Sequence, residues 1–365
     1  MTKLINTILK STLFGIFFVS LVACQPQEQS TQKSIDQDGS EAILATESQK
    51  EVNLYSARKE ALIKPLLKQF SEDTGIKVNV ISSKADALLK RIQSEGNNSP
   101  ADVLLTTDAG RLYRAKSAGI LTAIDSEVIN TNVPSQYLDE DNMWVGLSIR
   151  VRPIMVTDKG ASLGIDSYED LAKPELGKSI CIRSSGNIYN QSLVAGMLNT
   201  VDETAVESWA QGVVANMARS PQGGDRDQVR AAAAGQCSVI VANTYYLASM
   251  LADQSNETDY QAASKLKVIW PNQTDRGAHV NISGAGILKT APNKENGLKL
   301  IEFLSSKKAQ ELYANVNFEY PVMENIELNP ILSAWGEFKA DQTNLSVLGE
   351  NNARAVMVMD RAGWK

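Results

Sequence analysis

Residues 144–157 read as one extended run, Trp-Val-Gly-Leu-Ser-Ile-Arg-Val-Arg-Pro-Ile-Met-Val-Thr. Strands in globular proteins usually end after about five or six residues. A run this long is expected to leave one lobe and enter another. A second extended segment, residues 278–288, is placed to carry the chain back. Two crossings of this kind describe a hinged two-lobed body rather than a single sheet.

The stretches on either side alternate between strand and helix patterns. Residues 52–56 form a short strand, followed by helical spacing at Leu62, Ile63, Leu66, Leu67 and Phe70 that Gly75 stops. A second strand (76–81), a helix marked by Ala85, Leu88, Leu89 and Ile92, a buried strand (102–106) and a helix (112–118) follow. This β-α-β-α-β order implies a parallel sheet with right-handed crossovers. After the first crossing the rhythm restarts with a strand (178–183), three helices (192–198, 206–217 and 225–234) and a strand (238–242). Helices at 296–304 and 309–316 follow the second crossing, and a final helix spans 347–361. The expected division is α/β throughout: 51–150 in the first lobe, 151–277 in the second, 278–325 returning to the first, and 326–365 packing on the second.

The N-terminus is a targeting segment. Lys3 and Lys10 precede an apolar stretch (residues 12–23) shorter than the roughly 20 residues needed to span a bilayer. It ends Leu21-Val-Ala-Cys24, which resembles the bacterial lipoprotein lipobox. That resemblance implies that residues 1–23 are a signal peptide cleaved before Cys24, with lipid attached to the Cys24 thiol. Residues 24–50, rich in Gln, Ser, Glu and Asp, cannot bury enough surface to offset chain entropy and form a disordered tether. The body is then periplasmic, standing off the membrane on a lipid anchor. Net charge is −6 and no basic stripe is visible, so nucleic acid is not an expected partner. Cys181 and Cys237 remain in the body, each opening a strand-like run and each eight residues before a tyrosine, Tyr189 or Tyr245. In neighbouring parallel strands both cysteines would lie at one level. An oxidising compartment permits a disulfide there, with two buried free thiols as the alternative.

Asn243-Thr-Tyr-Tyr246 joins an apolar run (237–242) to helical spacing at Leu247, Met250 and Leu251. Strand C-terminal ends are where α/β folds usually place ligands. Phenolate oxygen is a hard anionic donor that suits a hard, highly charged cation such as ferric iron. The plainer reading is that one ring packs and the other covers a surface. Paired carboxylates in a plausible site, a Ser-His-Asp order and a Gly-rich phosphate loop are not found, so the chain is not expected to be an enzyme.

Further motifs carry a specific signal: Tyr55-Ser-Ala-Arg-Lys-Glu60, Ser99-Pro-Ala-Asp-Val103, Gly146-Leu-Ser-Ile-Arg-Val-Arg152, Cys181-Ile-Arg-Ser-Ser-Gly-Asn-Ile-Tyr-Asn190, Pro221-Gln-Gly-Gly-Asp-Arg-Asp-Gln228, Asn243-Thr-Tyr-Tyr246 and Asn281-Ile-Ser-Gly284. In content, order and spacing the chain from Val52 to about Val322 resembles the ferric-iron-binding proteins of bacterial ABC uptake systems. The resemblance implies a type II-like periplasmic-binding-protein clamshell, monomeric, carrying Fe³⁺ as cargo to an inner-membrane ABC permease. It implies Tyr189, Tyr245 and Tyr246 as metal ligands. It also implies a synergistic anion, carbonate-like, held by Arg150 with Arg58 as a second candidate. Arginine suits this role because its planar fork donates two hydrogen bonds and stays charged when buried. The structural alternatives are a helix-start ion pair for Arg58 and inter-lobe pairing for Arg150.

Other branches of the family place a His, and in some a following Tyr, where this chain has Lys59 and Glu60. That departure favours the three-tyrosine, anion-assisted type, with Glu60 a solvated helix-start carboxylate. Tyr55 matches a family position without an assigned role, and His279 reads as structural or hinge-associated. Trp209, Trp270 and Tyr260 are expected to pack, and Asp225-Arg226-Asp227, opening a helix after Gly223-Gly224, to form a capping and salt-bridge cluster. Within the same fold the competing cargoes are an inorganic anion, which needs no tyrosine trio, or a polyamine, which needs a carboxylate-lined cleft.

Overall fold

The computed structural model describes residues 50–365, so the signal peptide, Cys24 and all of the tether but Lys50 lie outside the described residues. The first lobe begins with β1 (Glu51–Ser56), α1 (Glu60–Thr74), β2 (Lys77–Ser82), α2 (Ala85–Glu95), β3 (Val103–Thr107), α3 (Ala109–Ser117), β4 (Leu121–Thr122), α4 (Glu127–Asn132) and β5 (Val145–Val151). The second lobe contains β6 (Ile154–Val156), α5 (Asp158–Ala161), β7 (Ile180–Cys181), α6 (Ile188–Thr200), α7 (Glu203–Ala215), α8 (Asp225–Ala233), β8 (Val239–Val241), α9 (Thr244–Ala252), α10 (Glu257–Ala263) and β9 (Lys267–Ile269). β10 (Val280–Leu288), α11 (Lys294–Ser305) and α12 (Lys307–Val316) return to the first lobe, and α13 (Pro330–Ser333), α14 (Ser346–Glu350) and α15 (Asn352–Arg361) finish the chain.

In the first-lobe sheet β1 pairs in parallel with β2 and β3, as the βαβ pattern predicts. β10 runs antiparallel to β3 on one side and to β5 and then β4 on the other. All nine of its residues are buried, because neighbours cover both edges and both faces. Its register shifts at Ser283/Gly284, where a Cβ on Gly284 would lie 2.6 Å from the Val145 carbonyl. The Ser-Gly of the Asn281–Gly284 motif is thus a packing requirement of the strand that returns the chain.

The long extended run does cross between lobes. β5 belongs to the first sheet and β6 to the second, and Pro153, which has no N–H to donate, sits between them. The second sheet has the order β7-β8-β6-β9 and is not all-parallel: β6 runs antiparallel to both β8 and β9. Ile154, Val156, Val239 and Val241 face one core with Trp209 and Trp364, while Met155, Ile240 and Ala242 face another with Leu247 and Met250. Strand alternation therefore buries both faces.

Two expectations are corrected. Cys181 closes the short β7 rather than opening a strand, and its register partner is Ile240, so the two cysteines are not level. Cys181 and Cys237 are nonetheless disulfide-bonded, with Cα atoms 5.8 Å apart. The single helix expected over 347–361 is two helices, α14 and α15, parted at Asn351. The parting lets α14 lie against α3 of the first lobe and α6 of the second, while α15 packs on α6 and α7. The chain thus passes between the lobes a third time.

Candidate metal centre

Two helix starts carry the tyrosines. β8 ends at Val241, Asn243 occupies the N-cap of α9, and Tyr245 and Tyr246 fall in its first turn. Tyr189 is the second residue of α6, after Asn187 at the N-cap. Unsatisfied N–H groups give a helix N-terminus partial positive charge, which favours a phenolate there. Arg152 pins the two starts together. It donates to Asn190 Oδ1 (2.6 Å), Asn243 Oδ1 (3.0 Å) and the Val241 carbonyl (3.2 Å), and pairs with Asp225 at 3.4 Å. Asp225 also receives Arg183 at 3.3 Å. The Asp225-Arg226-Asp227 cluster is thus the capping and salt-bridge cluster expected, Asp227 accepting the Gly224 N–H at 2.7 Å and Asp225 taking the two arginines.

Arg150 lies near the end of β5, two residues before Arg152, which follows that strand. Its Nη2 donates to the Tyr189 hydroxyl at 3.0 Å and to the Tyr245 hydroxyl. The Tyr245 and Tyr246 rings stand 4.3 Å apart between centroids. All three tyrosines line one cavity of about 250 Å³ between the lobes, with Arg58, Arg150, Arg226 and Glu319. Burial opposes ionisation of Tyr189, but the adjacent Arg150 outweighs it and brings the phenol down to about 8. Burial pushes Tyr246 up to about 12, helped by the charge of Tyr189. Tyr245 is raised too, first by burial and then by its phenolic neighbours, against the pull of Arg150. One guanidinium can offset one phenolate; further ionisation requires another cation in the cavity.

Arg58, in the loop after β1, is buried. Its Nη1 donates to Glu319 Oε2 at 2.9 Å and to Ser283 Oγ, while Nε and Nη2 have no partner. Arg150 likewise keeps Nε and Nη1 without a hydrogen bond. Buried donors of this kind are normally satisfied, so two arginines with spare N–H groups beside three phenols suit an anion. Among the described residues no cluster of three His, Cys, Asp or Glu could hold a metal, so the donor set available for one is phenolic.

The other singled-out residues lie apart from this cavity. The Tyr55 hydroxyl donates to Glu95 at 2.8 Å. Glu60 opens α1 and is exposed. His279 is buried at the second crossing, where its N–H donates to the Tyr168 hydroxyl (3.0 Å) and its carbonyl accepts from the Arg152 N–H (3.1 Å). That Tyr168 hydroxyl also donates to the Arg152 carbonyl at 2.7 Å and so ties both crossings together. Trp209 packs against Trp364, and Trp270 stacks on Phe338. Sequence reasoning missed Glu319, Tyr168 and the pinning role of Arg152. Strand alternation carried one residue past β5 puts position 152 on the face of Arg150 and could have found the last.

A family model described as bacterial extracellular solute-binding protein matches residues 98–340. Iron uptake protein A1 of Synechocystis sp. is 46% identical over 87% of this chain and 88% of its own length. A Trichodesmium protein (IdiA, FutA), solved in complex with iron and citrate ligands, superposes with a TM-score of 0.83 at 45% identity, covering 86% of this chain and all of that one. The ferric iron-binding protein A of Mannheimia haemolytica, solved in an open conformation, gives a TM-score of 0.79 at 42% identity over 86% of this chain and 98% of that one.

Proposed function

The chain belongs to the bacterial extracellular solute-binding protein family, and on that premise we propose that it is a periplasmic carrier of ferric iron, held between the lobes by Tyr189, Tyr245 and Tyr246. The observation that carries the reading is the single inter-lobe cavity those tyrosines share, with Arg150 donating to two of their hydroxyls. A trivalent ion supplies the positive charge that releases the remaining phenolic protons, as bound metals do for other ligands. Three phenolates then cancel its charge, so lobe closure buries a neutral cluster rather than a bare ion. Arg150, with Arg58, holds a carbonate-like anion that completes the coordination shell. The relatives named for iron uptake and ferric iron binding support the same cargo. The protein works as a monomer, anchored through lipid on Cys24, and passes iron to an inner-membrane ABC permease.

Polyamine cargo is disfavoured because Glu319, the acidic residue lining the cavity, is paired with Arg58. An inorganic anion as sole cargo would leave three converging phenols without a task. The test is optical, since tyrosinate on Fe³⁺ gives a visible charge-transfer band. Protein incubated with ferric citrate and desalted should be orange-red, and Tyr189→Phe, Tyr245→Phe and Tyr246→Phe should each weaken or abolish the colour. Tyr55→Phe should spare it, and Arg150→Ala should weaken iron binding. Colourless wild-type protein would overturn the reading.

A further inference from the structure

Asp108 is a first-lobe carboxylate that reaches a second-lobe helix. It follows β3 at the N-cap of α3, fully buried, and its backbone takes φ 83°, a region that residues with side chains rarely adopt. Such a conformation persists only where its surroundings hold it. Here the Asp108 N–H donates to the Ile282 carbonyl at 2.8 Å. The carboxylate accepts from Asn281 Nδ2 (2.9 Å), the Gly110 N–H (3.0 Å) and the Ser192 hydroxyl, which lies 2.8 and 2.9 Å from its two oxygens. Asn281, opposite Arg150 in the β10–β5 register, also accepts the Ala109 and Ile282 N–H groups at 2.8 Å each. The first residue of the Asn281–Gly284 motif thereby orients Asp108.

Ser192 is fully buried and stands three residues past Tyr189, on the same face of α6. The start of that helix is therefore gripped twice within one turn. Arg152 holds it through Asn190 and ties it to the start of α9, while Asp108 holds it through Ser192 and ties it to the first lobe. The first lobe is also where Arg150 comes from, the donor to the Tyr189 hydroxyl. Resting on the carrier reading, we infer that Asp108 is a positioning residue for the cargo: through Ser192 it sets α6 against the first lobe, and so places the Tyr189 oxygen relative to Tyr245, Tyr246 and Arg150. It acts by the hydrogen bonds it accepts. A binding constellation tolerates ligand displacements of only about half an ångström, so a helix released on one side is enough to loosen it.

The experiment mixes iron-loaded protein with excess EDTA and times the loss of the visible band, beside the denaturation midpoint of the iron-free protein. Losing a hydrogen bond to a buried carboxylate shifts an equilibrium by roughly 10- to 100-fold. S192A should therefore speed iron release by about that factor. D108N should speed it too, because its amide turns an NH₂ toward the NH₂ of Asn281. The exchange D108N/N281D keeps each hydrogen bond with carboxylate and amide interchanged, and should return release to the wild-type rate. A lower midpoint in S192A with unchanged release would show a contact that serves stability alone and would overturn the role of Asp108. Fast release in the exchange as well as in D108N would assign the effect to charge at position 108 and overturn it equally. If D108N does not fold, S192A, which removes a single oxygen, decides in its place. No band in the wild type would overturn the carrier reading and this inference with it.

Discussion

His279 shows how one side chain can couple the joint between the lobes to pH. Burial holds its imidazole down to about 3, with Arg152 and Arg276 adding repulsion. In the unfolded chain the same group titrates near 6.5. Between those values the unfolded chain binds a proton that the folded chain refuses, so stability is full above pH 6.5 and falls as pH drops toward 3. The slope reaches about 1.4 kcal/mol per pH unit while the proton counts differ by one. His279→Asn should therefore flatten the loss of Tm between pH 7.5 and 5 relative to the wild type; equal losses in both would rule out this origin. At this scale Tyr245 and Tyr246 stood out by their place at a strand's end, whereas Tyr189 and Arg150 were singled out only by the resemblance to the ferric-iron-binding proteins; the structure brings all four to one cavity. Glu319 was not legible, since a lone acid between Phe318 and Tyr320 carries no periodicity or motif, and its partners come from residues far away in sequence.

Elements were read best where burial imposes a repeat. The buried runs of β3, β8 and β10, and the amphipathic spacing of α1 and α2, appear within a few residues of the sequence assignment. The direction of β6 and β9 was not legible, because a three-residue apolar strand looks the same whichever way its neighbour runs. Nor was the third passage. Residues 320–345 have no period of their own and follow the other crossings through isolated bridges, Ile149 with Tyr320 and Ala278 with Ala340. α14 is held at this passage by close approach: a Cβ on Gly349 would fall 2.2 Å from the Tyr113 Cβ on α3. Gly349→Ala should cost roughly 1–3 kcal/mol through overpacking, measured as a lower denaturation midpoint, with the tyrosine colour retained at saturating iron. An unshifted midpoint would show that α3 and α14 separate freely.

At the scale of the whole molecule, the cavity gathers groups from both lobes, Arg58 and Glu319 from the first and the three tyrosines from the second, and the cargo proposed for it would bridge them. Binding should therefore draw the lobes together about the crossings, and small-angle scattering should show the radius of gyration falling toward the ~20 Å of a compact globule of this size. Equal radii with and without iron would mean that the cavity fills with no hinge motion. Trp364 has a consequence at the same scale. It is buried in the second-lobe core against Trp209, and its indole donates to the Arg183 carbonyl at 3.0 Å, at the head of the loop that leads to Tyr189. The core of that lobe is complete only when Trp364 is in place. Folding of that lobe thus waits on this segment, an order that would suit the export proposed for this chain.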